Sequence, residues 1–139
     1  MKSYRSKVSL LPGTSYDEVV AVARREHKKI EKLTKRQPYV RSTYFSKDKI
    51  FISPLFWTHI MQKSLKERTK RLKFYTAAID LMRNSHCEPE TVFKKDDLSS
   101  ILHRFYGVTK EGIEYCVQVK QNKRTGRKDF MSVYERKRS

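Results

Sequence analysis

Residues 101–134, ILHRFYGVTKEGIEYCVQVKQNKRTGRKDFMSVY, limit the fold more than any other part of the chain. Three runs rich in β-branched and aromatic residues, ILHRFYGV, GIEYCVQVK and DFMSVY, alternate with TKEG and QNKRTGR, each of which carries a Gly. A hairpin connection needs a residue that tolerates positive φ, and Gly supplies it. The pattern predicts a three-stranded antiparallel meander. His103, Arg104, Gln118, Lys120 and Ser132 fall inside these runs, where a plain core would carry aliphatic side chains. The meander is therefore the expected working surface.

A 139-residue chain suits one domain with a modest core. Lys and Arg number 32 against 15 acids, a formal charge of +17. Such a charge opposes compaction, and its commonest use is a polyanionic partner. An anionic membrane surface competes, but no apolar segment is long enough to span a bilayer and no basic-then-apolar leader opens the chain. A cytoplasmic protein is expected. Cys87 and Cys116 lack metal-ligand spacing and read as buried thiols in a reducing compartment. Eight Tyr and seven Phe argue against disorder.

In chain order, residues 3–10 read as a short strand or an extended arm, ended by Leu11-Pro12-Gly13. Ser15 and Glu18 form a capping box for a helix from about Tyr16 to Lys35. Its polar face is almost all basic, with Lys28 and Lys32 prominent, and reads equally as a solvated face or a phosphate contact. After Gln37-Pro38, YVRSTYF and KIFI read as a β-hairpin around Ser46-Lys47-Asp48. Ser53 as N-cap and Pro54 at the first helical position open the helix LFWTHIMQKS, with His59 on its polar side. A longer helix is expected from Lys66 to Arg83. Arg68 occupies a slot in its apolar stripe and Arg71 lies at the stripe's edge; each either snorkels or pairs, or opens on a cleft for phosphate. Residues 84–100 are a connector with a short strand near Thr91–Phe93, and the tail ERKRS is basic and frayed.

The fold class is thus α+β: an N-terminal helix and two further helices packed on a twisted antiparallel sheet that ends in the meander. Residues 1–139 form a single domain, with 14–36 a basic helical extension and 39–135 the core. If TKEG is the whole first turn, His103 pairs with Gln118 and Ile101 with Lys120. His103, Phe105, Cys116, Gln118 and Lys120 then share an open face, while Arg104, Tyr106, Tyr115, Val117 and Val119, joined by Ser132 and Tyr134, share the face toward the helices.

No Gly-rich phosphate loop, zinc spacing or clustered acid set is present, so neither a metal nor a cofactor is implied. What remains is His, Arg, Lys, Ser and Tyr on a basic α+β domain. That set suits RNA cleavage without metal, in which the 2′-hydroxyl is the internal nucleophile. Histidine titrates near neutrality and arginine's fork matches phosphate oxygens.

A helix bearing His59, a helix bearing Arg68 and Arg71, and a C-terminal meander with His103-Arg104-Phe105, Gln118 to Lys120 and Ser132 resemble the barnase–EndoU–colicin–RelE-like ribonuclease superfamily, in particular its phage-associated and toxin-type members. The resemblance spans about residues 39–135. It implies a metal-independent endoribonuclease of toxin type and an acidic antitoxin or immunity protein as partner. His103 and His59 would be acid and base, and Arg71, Arg104 and Arg68 would stabilise the phosphorane. Ser132 would assist them in the site. Lys120, Gln118 and Tyr106 would bind substrate, with Lys28 and Lys32 holding RNA backbone. No Glu matches a barnase-type base; Glu67 and Glu114 are the candidates. Two non-catalytic alternatives fit the charge: an RNA- or DNA-binding protein associated with ribosome or phage, and a module that binds an acidic partner protein.

Overall fold

The computed structural model describes residues 2–93 and 95–137. It is an α+β arrangement of four helices and a curled mixed sheet. In chain order these are β1 (Tyr4–Arg5), α1 (Tyr16–Leu33), β2 (Tyr39–Ser42), β3 (Asp48–Phe51), α2 (Leu55–Ile60), α3 (Leu65–Leu72), α4 (Tyr75–Asn84), β4 (Glu90–Val92), β5 (Ser100–Val108), β6 (Glu114–Asn122) and β7 (Lys128–Glu135). The strands run in the order β1-β5-β6-β7-β3-β2, and β4 also pairs with β5. The tail's Arg138 and Ser139, and Lys94 in the connector, lie outside the described residues.

Local chemistry sets several of these elements. Ser15 caps α1 through its side chain and Glu18 closes the reciprocal bond, so the helix begins where expected. The meander forms as β5, β6 and β7, and Gly112 and Gly126 take the positive φ of its two turns, +90° and +77°. Gly107 in β5 answers a different need: a Cβ there would come within 2.6 Å of the Tyr115 ring, whose hydroxyl donates to the Ala77 carbonyl of α4 at 3.0 Å.

Four expectations are corrected. The sheet is not antiparallel throughout, because β1 runs parallel to β5 and β3 parallel to β7. The Lys66–Arg83 helix is two helices, broken at Lys73-Phe74. Leu72, Phe74 and Tyr75 are all buried, and a continuous helix would put Phe74 on the opposite side from Leu72. Helix α2 has Pro54 rather than Ser53 at its N-cap, without a side-chain cap bond; the Ser53–Pro54 peptide is cis. Finally, the β5–β6 turn takes in Ile113 as well as TKEG, since Thr109 N–H donates to the Ile113 carbonyl at 2.9 Å. His103 therefore pairs with Val119, Arg104 with Gln118 and Leu102 with Lys120.

That single-residue shift exchanges the faces. His103, Phe105, Tyr115, Val117, Val119, Phe130 and Val133 share the core face. Phe130 stacks on Phe56 of α2 with ring centroids 4.4 Å apart, and Phe74 lies 5.7 Å from Tyr115. The other face carries Arg104, Tyr106, Cys116, Gln118, Lys120, Ser132 and Tyr134. A bulge between Gln118 and Val119 leaves Met131 as the extra residue of β7.

Candidate functional site

The polar face of the sheet brings together most of the residues the sequence singled out. Its cross-strand rows are Tyr106–Cys116–Tyr134 and Arg104–Gln118–Ser132, with Leu102–Lys120–Asp129 beyond. Ser132 is buried and donates to Gln118 Oε1 at 3.0 Å; Gln118 Nε2 in turn donates to the Tyr134 hydroxyl at 3.2 Å. This chain of bonds fixes the amide and directs the Tyr134 O–H away from it, toward the Cys116 thiol of its own row. Burial, reinforced by Cys116, pushes the Tyr134 phenol up to about 12, so it stays protonated at neutral pH.

Cations and carboxylates surround these rows. Arg104 Nη1 lies 3.6 Å from Glu90 Oε1, and the same oxygen accepts from the Tyr106 hydroxyl at 2.9 Å. Arg104 Nε is buried with no hydrogen-bond partner among the described residues. Arg136 stacks over the Tyr106 ring at 4.2 Å. Arg71 reaches this face from α3, its guanidinium 5.4 Å from the Tyr134 ring centroid and its Nε 3.0 Å from Glu67 Oε1. Lys120 Nζ stands 3.7 Å from Asp97, whose carboxyl is lowered to about 2 chiefly by hydrogen bonds from Ser100 and Ser99. An open cleft of about 430 Å³ adjoins Lys120, walled by Leu55 and Thr58 of α2 and by Arg127 and Asp129. His59 is half-buried and follows Leu55 by four residues, which puts it on the same stripe of α2.

The remaining candidates stand elsewhere. His103 is on the core face, buried, with Nδ1 3.2 Å from the Thr91 hydroxyl, Nε2 2.8 Å from Gln121 Oε1 and its ring against Phe45. The expected open face shared by His103, Gln118 and Lys120 does not form, because Ile113 lengthens the turn. Arg68 spends its fork on backbone: Nε donates to the Lys63 carbonyl and Nη2 to that of Met61, both at 2.8 Å, tying off the end of α2. Lys28 and Lys32 are exposed on α1 roughly opposite its buried stripe of Val19, Ala23, His27 and Ile30. They point outward from α1, which packs on α3 and α4, rather than toward Arg104.

Tyr134, Glu90 and Arg136 were not among the expected site residues. The i, i+2 spacing of Ser132 and Tyr134 was the signal for the first; β4 is too short to announce Glu90. Among the described residues no three His, Cys, Asp or Glu side chains come together as a metal site needs. Among them also, no helix is long and apolar enough to cross a membrane. No family model, curated protein or solved structure matches the chain.

Proposed function

We propose that the polar sheet face binds RNA and cleaves it by attack of a 2′-hydroxyl on the adjacent phosphorus, leaving a 2′,3′-cyclic phosphate and a 5′-hydroxyl. The observation that carries this reading is that Arg104, Gln118, Ser132 and Tyr134 share one face of the meander and that Arg71 is brought onto Tyr134 from α3. Such a reaction asks three things of this face. Arg71, Arg104 and Lys120 supply positive charge for the phosphorane oxygens. Tyr134, protonated and with its O–H toward Cys116 in the free protein, would turn that proton to the departing 5′-oxygen. The 2′-hydroxyl proton would go to Glu90 or Glu67, the carboxylates flanking the rows, or to His59 at the rim. A protein of this charge would also suit an acidic inhibitor.

A non-catalytic RNA- or DNA-binding role is the second reading. What favours it is that Arg71, Arg104 and Lys120 already have carboxylate neighbours, as cations of a binding surface commonly do. The two separate by incubating the purified protein with total tRNA in EDTA and analysing the ends. Cleavage should leave cyclic phosphate termini, and Arg104→Ala and Tyr134→Phe should each slow it by about 10²–10³-fold without loss of fold. RNA that binds yet stays intact at high protein concentration would leave the binding role alone standing.

A further inference from the structure

The polar face does not stop at the meander. Through the parallel pairing of β7 with β3, Asp129 meets Phe51, and Phe51 faces Tyr39 on β2. Leu102, Lys120, Asp129, Phe51 and Tyr39 therefore form one cross-strand row over five strands. At about 4.8 Å per strand, its Tyr39 end lies roughly 14 Å from Lys120.

That end is built unlike the centre. The Arg127 guanidinium lies 4.0 Å from the Phe51 ring centroid. Its plane is held by Asp129, at 3.2 Å, and by Gln37 Oε1, at 2.8 Å. Tyr39 stands edge-on to Phe51 at 6.0 Å and carries Lys49 over its ring at 4.6 Å. Phe51 and Tyr39 remain partly exposed although an ordinary core would absorb them. The 430 Å³ cleft connects Arg127 with Lys120.

We propose that this end is a second subsite, which stacks an unpaired nucleobase of single-stranded RNA on the outer face of the Arg127 guanidinium, backed by Phe51, while Lys120 and Lys49 meet the flanking phosphates. The proposal rests on the reading that the polar face handles RNA, and adds the form of RNA and where the strand runs. Flat guanidinium and aromatic surfaces are sequence-tolerant platforms for bases that are free to splay out. A duplex hides its bases and offers this surface only backbone charge. The subsite therefore selects single strands.

The test is fluorescence anisotropy with the full chain, using a short 2′-O-methyl RNA that lacks the attacking hydroxyl, alone and annealed to its complement. Stacking on one base is worth enough that Arg127→Lys, which keeps the charge but loses the plane, should weaken single-strand binding about tenfold. Phe51→Leu should do the same and Phe51→Tyr should not, with duplex affinity unchanged throughout. The proposal is overturned if Arg127→Lys binds the single strand like wild type, or if single-strand and duplex affinity fall together. It also fails if wild type shows no preference for the single strand. Cleavage of the unmodified strand is read separately. Loss of cleavage in Arg104→Ala with wild-type binding by Arg127→Lys would remove the subsite and keep the nuclease; uncleaved RNA with Arg127-dependent binding would do the reverse.

Discussion

His103 shows how little a residue's chemistry says about its role until its surroundings are known. Both ring nitrogens are engaged, by Thr91 and Gln121, and the Phe45 ring packs against it at 5.1 Å. Burial, with Lys128 nearby, pushes its imidazole below the ordinary value, so at neutral pH it is an uncharged bridge between β4, β5 and β6. His103→Ala should cost about 1–3 kcal/mol of stability by leaving partners unmatched, while cleavage by the folded fraction stays at the wild-type rate. Denaturant unfolding and an initial-rate assay on the same preparation check both halves. A large fall in rate at unchanged stability would return His103 to the chemistry. Tyr134, by contrast, owes its candidacy to position: it shares a row with Cys116, and Gln118 reaches it from the row beside.

At the scale of elements, α1 is joined to α2 and α4 by a second histidine. Trp57 Nε1–H can only donate, so Nδ1 of His27, 3.3 Å away, is an acceptor; Tyr75 Oη lies 2.9 Å from the same nitrogen. The ring's proton then belongs on Nε2, 3.0 Å from Glu31. Desolvation outweighs the Glu31 carboxylate and lowers the His27 pKa from its ordinary 6.5. The unfolded chain takes up a proton near 6.5 and the folded chain resists it. Stability is thus fully present above 6.5 and declines as the pH is lowered through that value. His103 titrates in the same sense, whereas the depressed carboxyls Asp48 and Asp97 act only at lower pH. The melting temperature should therefore fall between neutrality and the mildly acidic range, and His27→Gln should flatten the slope while lowering the starting value. At the helix's other end, Ser15→Ala should cost about 1 kcal/mol, measured by urea unfolding, because it removes the cap on the Glu18 N–H. These elements differ in how legible they were. Ser15, Glu18, Gly112 and Gly126 act on neighbours in sequence, so α1 and the meander could be read directly. The break at Phe74 could not, since the apolar period runs on through Leu72, Tyr75 and Ile79. Nor could the turn at Ile113, a β-branched residue that reads as strand. There the Thr109 pairing decides, and one residue moved His103 to the core while assembling Arg104, Gln118, Lys120 and Ser132 on one face.

At the scale of the whole molecule, two basic surfaces among the described residues can be compared as RNA contacts. One is the polar sheet face with Arg71, Arg104, Lys120 and Arg127; the other is the outward side of α1 with Lys28 and Lys32. The buried core of helical and sheet side chains lies between them, so a short strand on the sheet cannot touch both. An RNA large enough to wrap the molecule can. Every phosphate neutralised releases counterions, which makes affinity fall with salt in proportion to the number of contacts, at about 0.7 per contact for single strands. Replacing Lys28 and Lys32 together by Ala should therefore leave the affinity and salt slope of a short oligonucleotide unchanged. For a folded RNA of tRNA size, largely duplex and so nearer about 0.9 per contact, the same pair should lower the slope of log K against log salt by roughly 1.8, two contacts' worth. Titrations of both ligands over a range of potassium concentrations supply the comparison. An equal change for the short and the long RNA would mean that α1 and the sheet act on the same phosphates, and that the two basic surfaces are one.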